Sequence, residues 1–138
     1  MASPTSIRYY EAITHDIRVR VTPYYSEEQS IPEDSRYFWA YKVEIKNLGK
    51  KSAQLKSRIW RITDANGRTE EVRGPGVVGE QPTLAAGERF NYTSGCPLPT
   101  SSGIMVGSYQ MEGPDGAMFN IDIPAFSLDS PFVKVRMN

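Results

Sequence analysis

The sequence predicts an all-β protein, an antiparallel β-sandwich of about seven strands in the fibronectin type III or immunoglobulin style. Three observations predict it. Apolar and polar residues alternate with period two: in 37–46, Tyr37, Trp39, Tyr41, Val43 and Ile45 share one face, and Ala40, Lys42, Glu44 and Lys46 the other. Turn formers recur between such runs, with ten prolines and eleven glycines in 138 residues. No stretch longer than a turn carries a helical period, so helix content should be minimal. This length suits one domain, burying roughly two-thirds of its unfolded surface.

The elements follow in order. Residues 1–14 show no clean period and read as an N-terminal tail, 15–128 as the domain, and 129–138 as a C-terminal tail. His15 to Thr22 alternates, with Ile17, Val19 and Val21 inward and Arg18 and Arg20 outward. Pro23 to Ser35 reads as a polar loop, and Tyr37 to Lys46 is the clearest strand. A strand from about Ala53 to Asp64 carries Leu55 and Ile59 on one side, Trp60 and Ile62 on the other. Ala65-Asn66-Gly67 holds the Asn-Gly pair of a type I′ turn, so Arg68 to Arg73 should return antiparallel. Glu88 to Cys96 alternates with Phe90 and Tyr92 inward. Cys96 to Gly103 reads as a built loop. Strands Ile104 to Glu112 and Ala117 to Ile123 flank the turn formers Gly113-Pro114-Asp115-Gly116. Pro124 closes the last strand or sits at a sheet edge. Trp60 occupies the place of a sandwich's core tryptophan, and the missing cysteine pair favours the fibronectin-like variant.

Composition excludes several classes. Sixteen basic residues balance sixteen acidic ones, so the chain lacks an electrostatic footprint for nucleic acid or an anionic membrane. No apolar run approaches the ~20 residues of a membrane-spanning helix, and the first sixteen residues lack a signal-peptide core. The single cysteine, Cys96, cannot form an internal disulfide, which fits a reducing, cytoplasmic setting.

Residues 73–87 pack four glycines and two prolines between two strand-like segments. Glycine frees φ and permits close approach, whereas proline fixes φ. A long loop mixing both has one built conformation, and such loops are usually functional. Gly74-Pro75-Gly76-Val77-Val78-Gly79 spells G-x-G-x-x-G, but the dinucleotide mechanism needs a helix start after it. Two β-branched residues and Pro82 follow instead, so a glycine-shaped crossing between sheets outweighs a dinucleotide site. A looser anion nest of backbone N–H groups, with Arg73 as charge partner, stays open. The candidate ligand or partner loop is therefore Arg73, Gly74, Gly76, Gly79, Glu80 and Gln81.

Other chemistry has weaker support. His15 is the only histidine and Cys96 lacks a C-x-x-C partner, so transition-metal ligands do not cluster. Glu27, Glu28, Glu33 and Asp34 lack calcium-loop spacing and read as a solvated acidic loop. Cys96 and His15 could meet across a sheet, but a cysteine in an alternating strand is more often inert and buried. No metal ligands, catalytic residues or cofactors are therefore assigned. Phe38, opposite its strand's core face, and Tyr24-Tyr25 are candidate partner contacts, though packed edges are the plainer reading.

A family resemblance adds to this. The stretches 57–67, 72–82 and 90–96 resemble ApaG, also called CorD, and the match continues through Gly103, Met105, Gly107, Tyr109, Gly116, Phe119, Ile123, Pro124 and Phe126. It spans nearly everything between Ile17 and Leu128; Ala86 replaces a usual proline, while the glycine loop shows no departure. The resemblance implies a fibronectin type III-like sandwich and a bacterial cytoplasmic protein linked genetically to cobalt and magnesium resistance or efflux. It also implies gene neighbourhood with a diadenosine tetraphosphate hydrolase. The same domain in eukaryotic F-box proteins and a polymerase-delta-interacting protein looks like an interaction module. It supplies no catalytic residue, and a fold alone decides no function.

Two classes of function stand. One is a non-enzymatic binding module for an unidentified protein partner, with sheet edges available for strand addition or a homodimer. The other is a small-anion or nucleotide sensor built on Arg73, Gly74, Gly76 and Gly79. A metal carrier ranks third because ligands are scarce.

Overall fold

The computed structural model describes residues 9–131. Nine strands form two antiparallel sheets. The first has the order β1-β2-β3-β7, from β1 (Tyr10–Thr14), β2 (Ile17–Tyr25), β3 (Tyr37–Asn47) and β7 (Arg89–Leu98). The second has the order β5-β4-β8-β9, from β4 (Ala53–Asp64), β5 (Thr69–Pro75), β8 (Ser102–Glu112) and β9 (Met118–Asp129). Short β6 (Thr83–Leu84) pairs with the first residues of β4. The only helical element among the described residues is a 3₁₀ turn at Pro32–Asp34.

Seven of these strands lie where the alternation places them; β1 and β6 are additions. Tyr10–Thr14 pairs fully with β2, so the ordered fold begins inside the predicted tail. The turn joining them is His15-Asp16, with φ of 50° and 62°. Two successive positive φ values make a type I′ hairpin, here without the Asn-Gly signal that normally announces it. The Asn-Gly pair at 66–67 makes a different turn. Only Gly67 has positive φ, its N–H donates to the Asp64 carbonyl at 3.0 Å, and the Asp64 carboxylate accepts from Asn66 and Arg68 N–H. The hairpin is as predicted, but a type I turn with a glycine bulge closes it rather than type I′.

Other boundaries shift for local reasons. β2 continues through Pro23 to Tyr25, and β7 through Pro97 to Leu98, which shortens both predicted loops. Pro97 is tolerated because β7 is an edge strand. β9 also passes through its proline: Pro124 and Ala125 together oppose Val106, a bulge on the edge strand. Asp129 ends β9, and buried Ser130 donates its N–H to Ser101 O, so order extends two residues into the predicted C-terminal tail. The remaining tail residues, 1–8 and 132–138, lie outside the described residues.

A bulge in β4 corrects the predicted facing of that strand. Leu55 opposes Met111 and Ser57 opposes Gln110, leaving Lys56 as the extra residue. Strict alternation would put Leu55 and Trp60 on opposite faces. The extra residue brings both inward, at 0% and 2% exposure, and turns Ile59 away from the core. Trp60 then meets Tyr41 and Phe126 edge-on, at 5.4 and 5.9 Å between ring centroids. Val19, Val21, Val43, Ile45, Tyr109, Ile121 and Leu128 complete the packed layer between the sheets. We expect Trp60→Ala to cost about 3–5 kcal/mol in urea unfolding, through the cavity it leaves among these rings. A loss below about 1 kcal/mol would contradict the packing.

Candidate functional site

The glycine loop is built onto the β4 bulge. The Lys56 carbonyl, at the break in the β4–β8 ladder, accepts the Gly76 N–H at 2.9 Å and the Gln81 side-chain amide at 2.8 Å. Gln54 Nε2 donates back to the Gln81 carbonyl at 3.1 Å, and Leu55 N–H to the Pro82 carbonyl at 3.0 Å. Val77 and Glu80 exchange both backbone hydrogen bonds at 2.8 Å, around Val78 and Gly79 with φ of 42° and 81°. This closes a two-residue turn of type I′ form. Val77 is fully buried beneath it while Val78 is 55% exposed at the tip.

The predicted site residues are therefore neighbours with separate duties. Arg73 stands on the outer face of β5, exposed, with its guanidinium 3.1 Å from the Glu71 carboxylate. Gly76 (φ 61°) lies so close to the Glu80 carbonyl that a Cβ would meet its oxygen at 2.2 Å. Gly79 supplies the turn conformation at the tip. Glu80 acts through its backbone and Gln81 through its side chain. The N–H groups of Gly76, Val77 and Glu80 all have partners within the protein, so they do not converge on an empty cradle.

Sequence reasoning missed Arg58. The 64–68 turn sets the β4–β5 register and places Arg58 opposite Gly74. Without a Cβ at Gly74, the guanidinium lies across it, and Arg58 Nη1 donates to the carbonyls of Gly76 (2.7 Å) and Pro75 (3.2 Å). Arg58 thus ties the loop to the inner face of the second sheet. Counting outward from the turn to the glycine opposite would have found it.

Beside Arg58 the sandwich is open. β1 and β2 close over β9 along one margin. At the other a groove of about 320 Å³ runs between β7 and the β4–β5 pair, lined by Tyr41, Arg58, Trp60, Val72, Glu70 and Ser94 among others. Behind it the Tyr92 and Tyr109 hydroxyls bond across the sheets at 2.5 Å. Burial raises the pKa of both phenols. Burial likewise pushes the Cys96 thiol up to about 11, with the Glu70 charge adding to the effect. Cys96 is thus a protonated, buried side chain at neutral pH, not a nucleophile.

The Cys96–His15 encounter does not occur. Cys96 pairs with Trp39 on β3, whereas the turn bearing His15 lies by Asn47, eight β3 residues or roughly 27 Å away. His15 stacks edge-on against Phe119 at 5.3 Å. Phe38 packs over Gly95 on the outer face of the first sheet. Among the described residues no three His, Cys, Asp or Glu side chains gather into a metal-ligand group.

Fold and loop together define a fibronectin type III-like sandwich with a braced glycine turn, distinct from an α/β nucleotide-binding unit. Residues 27–113 match the model of the ApaG domain. A Protein ApaG from Brucella anthropi is 58% identical over 129 residues, covering 94% of this chain and 99% of that protein. One from Paramagnetospirillum magneticum is also 58% identical over 129 residues, with the same coverage. The crystal structure of an ApaA protein from Bordetella pertussis superposes with a TM-score of 0.82 at 52% identity, covering 86% of this chain and 96% of that one. The C-terminal domain of wzt, at 10% identity and a TM-score of 0.54, shares the fold alone. The chain belongs to the ApaG family.

Two predictions test this region. Gly76→Ala places a Cβ against backbone as well as straining φ, so it should cost more than about 2 kcal/mol; Gly79→Ala, with open space around it, should cost about 1. Equal losses in denaturant titration would refute the close approach. The second concerns alkaline stability. Tyr92, Tyr109 and Cys96 hold their protons to higher pH folded than unfolded, so the Cys96 contribution falls from about pH 9 and those of the tyrosines from about pH 10, each approaching about 1.4 kcal/mol per unit above its unfolded value. Replacing both tyrosines with phenylalanine should make the decline above about pH 10 shallower, and an unchanged slope there would refute the assignment.

Proposed function

We propose that this protein is a non-enzymatic interaction module of the cytoplasm, and that the loop Arg73, Gly74, Gly76, Gly79, Glu80 and Gln81 belongs to its contact surface. The observation that carries the reading is the engagement of the loop's own amides. A phosphate cradle offers convergent free N–H groups, whereas here Gly76, Val77 and Glu80 donate inward. What the loop offers outward is shape: a rigid turn with an exposed valine at its tip. Rigid protrusions beside a strand edge suit recognition of another protein, because little conformational entropy is lost on docking. On this reading the cobalt and magnesium effects that the family resemblance implies arise through a partner.

One observation favours the second reading, an anion sensor. The N–H groups of Val78 and Gly79 have no protein acceptor among the described residues, and Arg73 lies on the strand that leads into the loop. Two amides and an already paired arginine make a weaker anion site than a helix N-terminus does.

Titration with ATP, diadenosine tetraphosphate and pyrophosphate, read by amide chemical shifts, separates the two. We expect no saturable shifts over residues 73–81; saturable shifts there that vanish in Arg73→Ala would establish the sensor instead. In parallel, Gly76→Ala should lose partners that the parent chain captures from native cytoplasm. Calorimetry of metal-free protein with cobalt should show no one-to-one isotherm near ~1 µM, and such an isotherm would show that the ion is bound directly.

A further inference from the structure

The groove between β5 and β7 is bordered by two strands that, among the described residues, each have one neighbour: β5 pairs with β4, with β6 following it in the chain, and β7 pairs with β3. Two backbone bonds fix which β5 groups are free. Gly76 N–H reaches Lys56 O and Asp64 N–H reaches Arg68 O, so the even-numbered residues of β5 bond to β4. In an antiparallel ladder the intervening residues then point outward. Glu71 and Arg73 therefore present backbone N–H and C=O groups that no described residue pairs along this margin.

The inward side chains of the same margin make an ordered series. Successive rungs are Arg58 opposite Gly74, Trp60 opposite Val72, and Ile62 opposite Glu70. Arg58 and Glu70 are thus two rungs apart, about 13 Å along the strand, with an apolar step between them. Only Nη1 of the Arg58 guanidinium is engaged, by the Pro75 and Gly76 carbonyls; its other N–H groups have no acceptor among the described residues. Glu70 forms no ion pair among the described residues. A second hollow of about 330 Å³ shares Ile62, Glu70 and Pro97 with the first, so the groove continues along the edge. Its length and open side fit an extended chain better than a compact ligand.

The geometry points to β-strand addition: an extended segment of a partner protein pairs antiparallel with β5 and sends alternate side chains into the groove. This rests on the interaction-module reading and supplies the chemistry of its partner. An added strand hydrogen-bonds through Glu71 and Arg73, and its intervening residues face Gly74, Val72 and Glu70. Charge complementarity then fixes their kind. Running antiparallel to β5, the segment reads acidic, any, apolar, any, basic, with the carboxylate meeting Arg58, the apolar side chain covering Val72 and Trp60, and the cation meeting Glu70. Polar residues suit the two remaining positions, which lie on the outer face.

The probe is a blocked heptapeptide, Thr-Glu-Thr-Val-Thr-Lys-Thr, titrated into the full chain with amide shifts as readout. Saturable shifts should appear at Glu71, Val72, Arg73 and Ser94. Glu70→Lys, an exposed and fold-neutral change, should weaken the probe by about tenfold, as one cross-strand attraction becomes a repulsion. A probe with glutamate in place of its lysine should recover the loss in that variant. N-methylation of the two threonines beside the valine should abolish binding by removing their donors. Absence of saturable shifts at ~1 mM probe, equal affinity for a probe with the two charges exchanged, or indifference to N-methylation would each overturn strand addition at β5. Concentration-dependent shifts along β5 without probe, with dimer seen by sedimentation, would overturn it in favour of a second copy. Capture of cytoplasmic partners at undiminished affinity in Glu70→Lys would overturn the groove while leaving the interaction module standing.

Discussion

One carbonyl, that of Lys56, holds much of this structure in place. The extra residue at that point of β4 breaks the ladder with β8, and its backbone oxygen bonds instead on the β5 side, where a carbonyl left dry would be costly. Gly76 N–H and the Gln81 amide satisfy it. The same displacement lets Leu55 and Trp60 share the core. Core packing and loop position are thus two results of one insertion, and a strand without the bulge could not have both.

That coupling explains the loop's composition. Gly74 is bare because Arg58 crosses it, Gly76 is bare because the Glu80 carbonyl abuts it, and Gly79 serves a turn that needs positive φ. Three glycines at dinucleotide-fingerprint spacing serve here three unrelated needs: room for a side chain at Gly74, close backbone approach at Gly76 and a positive φ at Gly79. The pattern G-x-G-x-x-G records where glycine is favoured, and glycine can be favoured for reasons other than a phosphate.

Much of the fold was legible from period two alone. Tyr37–Asn47 and Ala53–Asp64 came out within a residue because long alternation in a half-buried strand leaves little choice. Single-residue events were not legible. The bulge at Lys56 changes no residue type that periodicity registers, and His15-Asp16 turns the chain without glycine because β1 and β2 impose the geometry. β1 itself, with its intermediate and exposed residues, carries too weak an alternation to stand out. The candidate loop was visible as a glycine cluster, but Arg58, which fastens it, belongs to a different strand and emerges only once register is counted.

The two margins of the second sheet are unlike. At β9, Pro124 withholds a donor, the bulge breaks the ladder, and the Asp122 N–H is taken by the Thr14 hydroxyl at 3.1 Å. β1 packs alongside. At β5 Pro75 also withholds a donor, but it does so at the strand's last residue, and among the described residues nothing pairs with Glu71 or Arg73 along the margin before it. A sheet with both margins open can add copies without limit and grow into fibres, whereas a sheet open on one side is a socket with a single vacancy. The proline of β9 thereby gives this sheet a polarity: the ladder is interrupted at one margin and regular along most of the other.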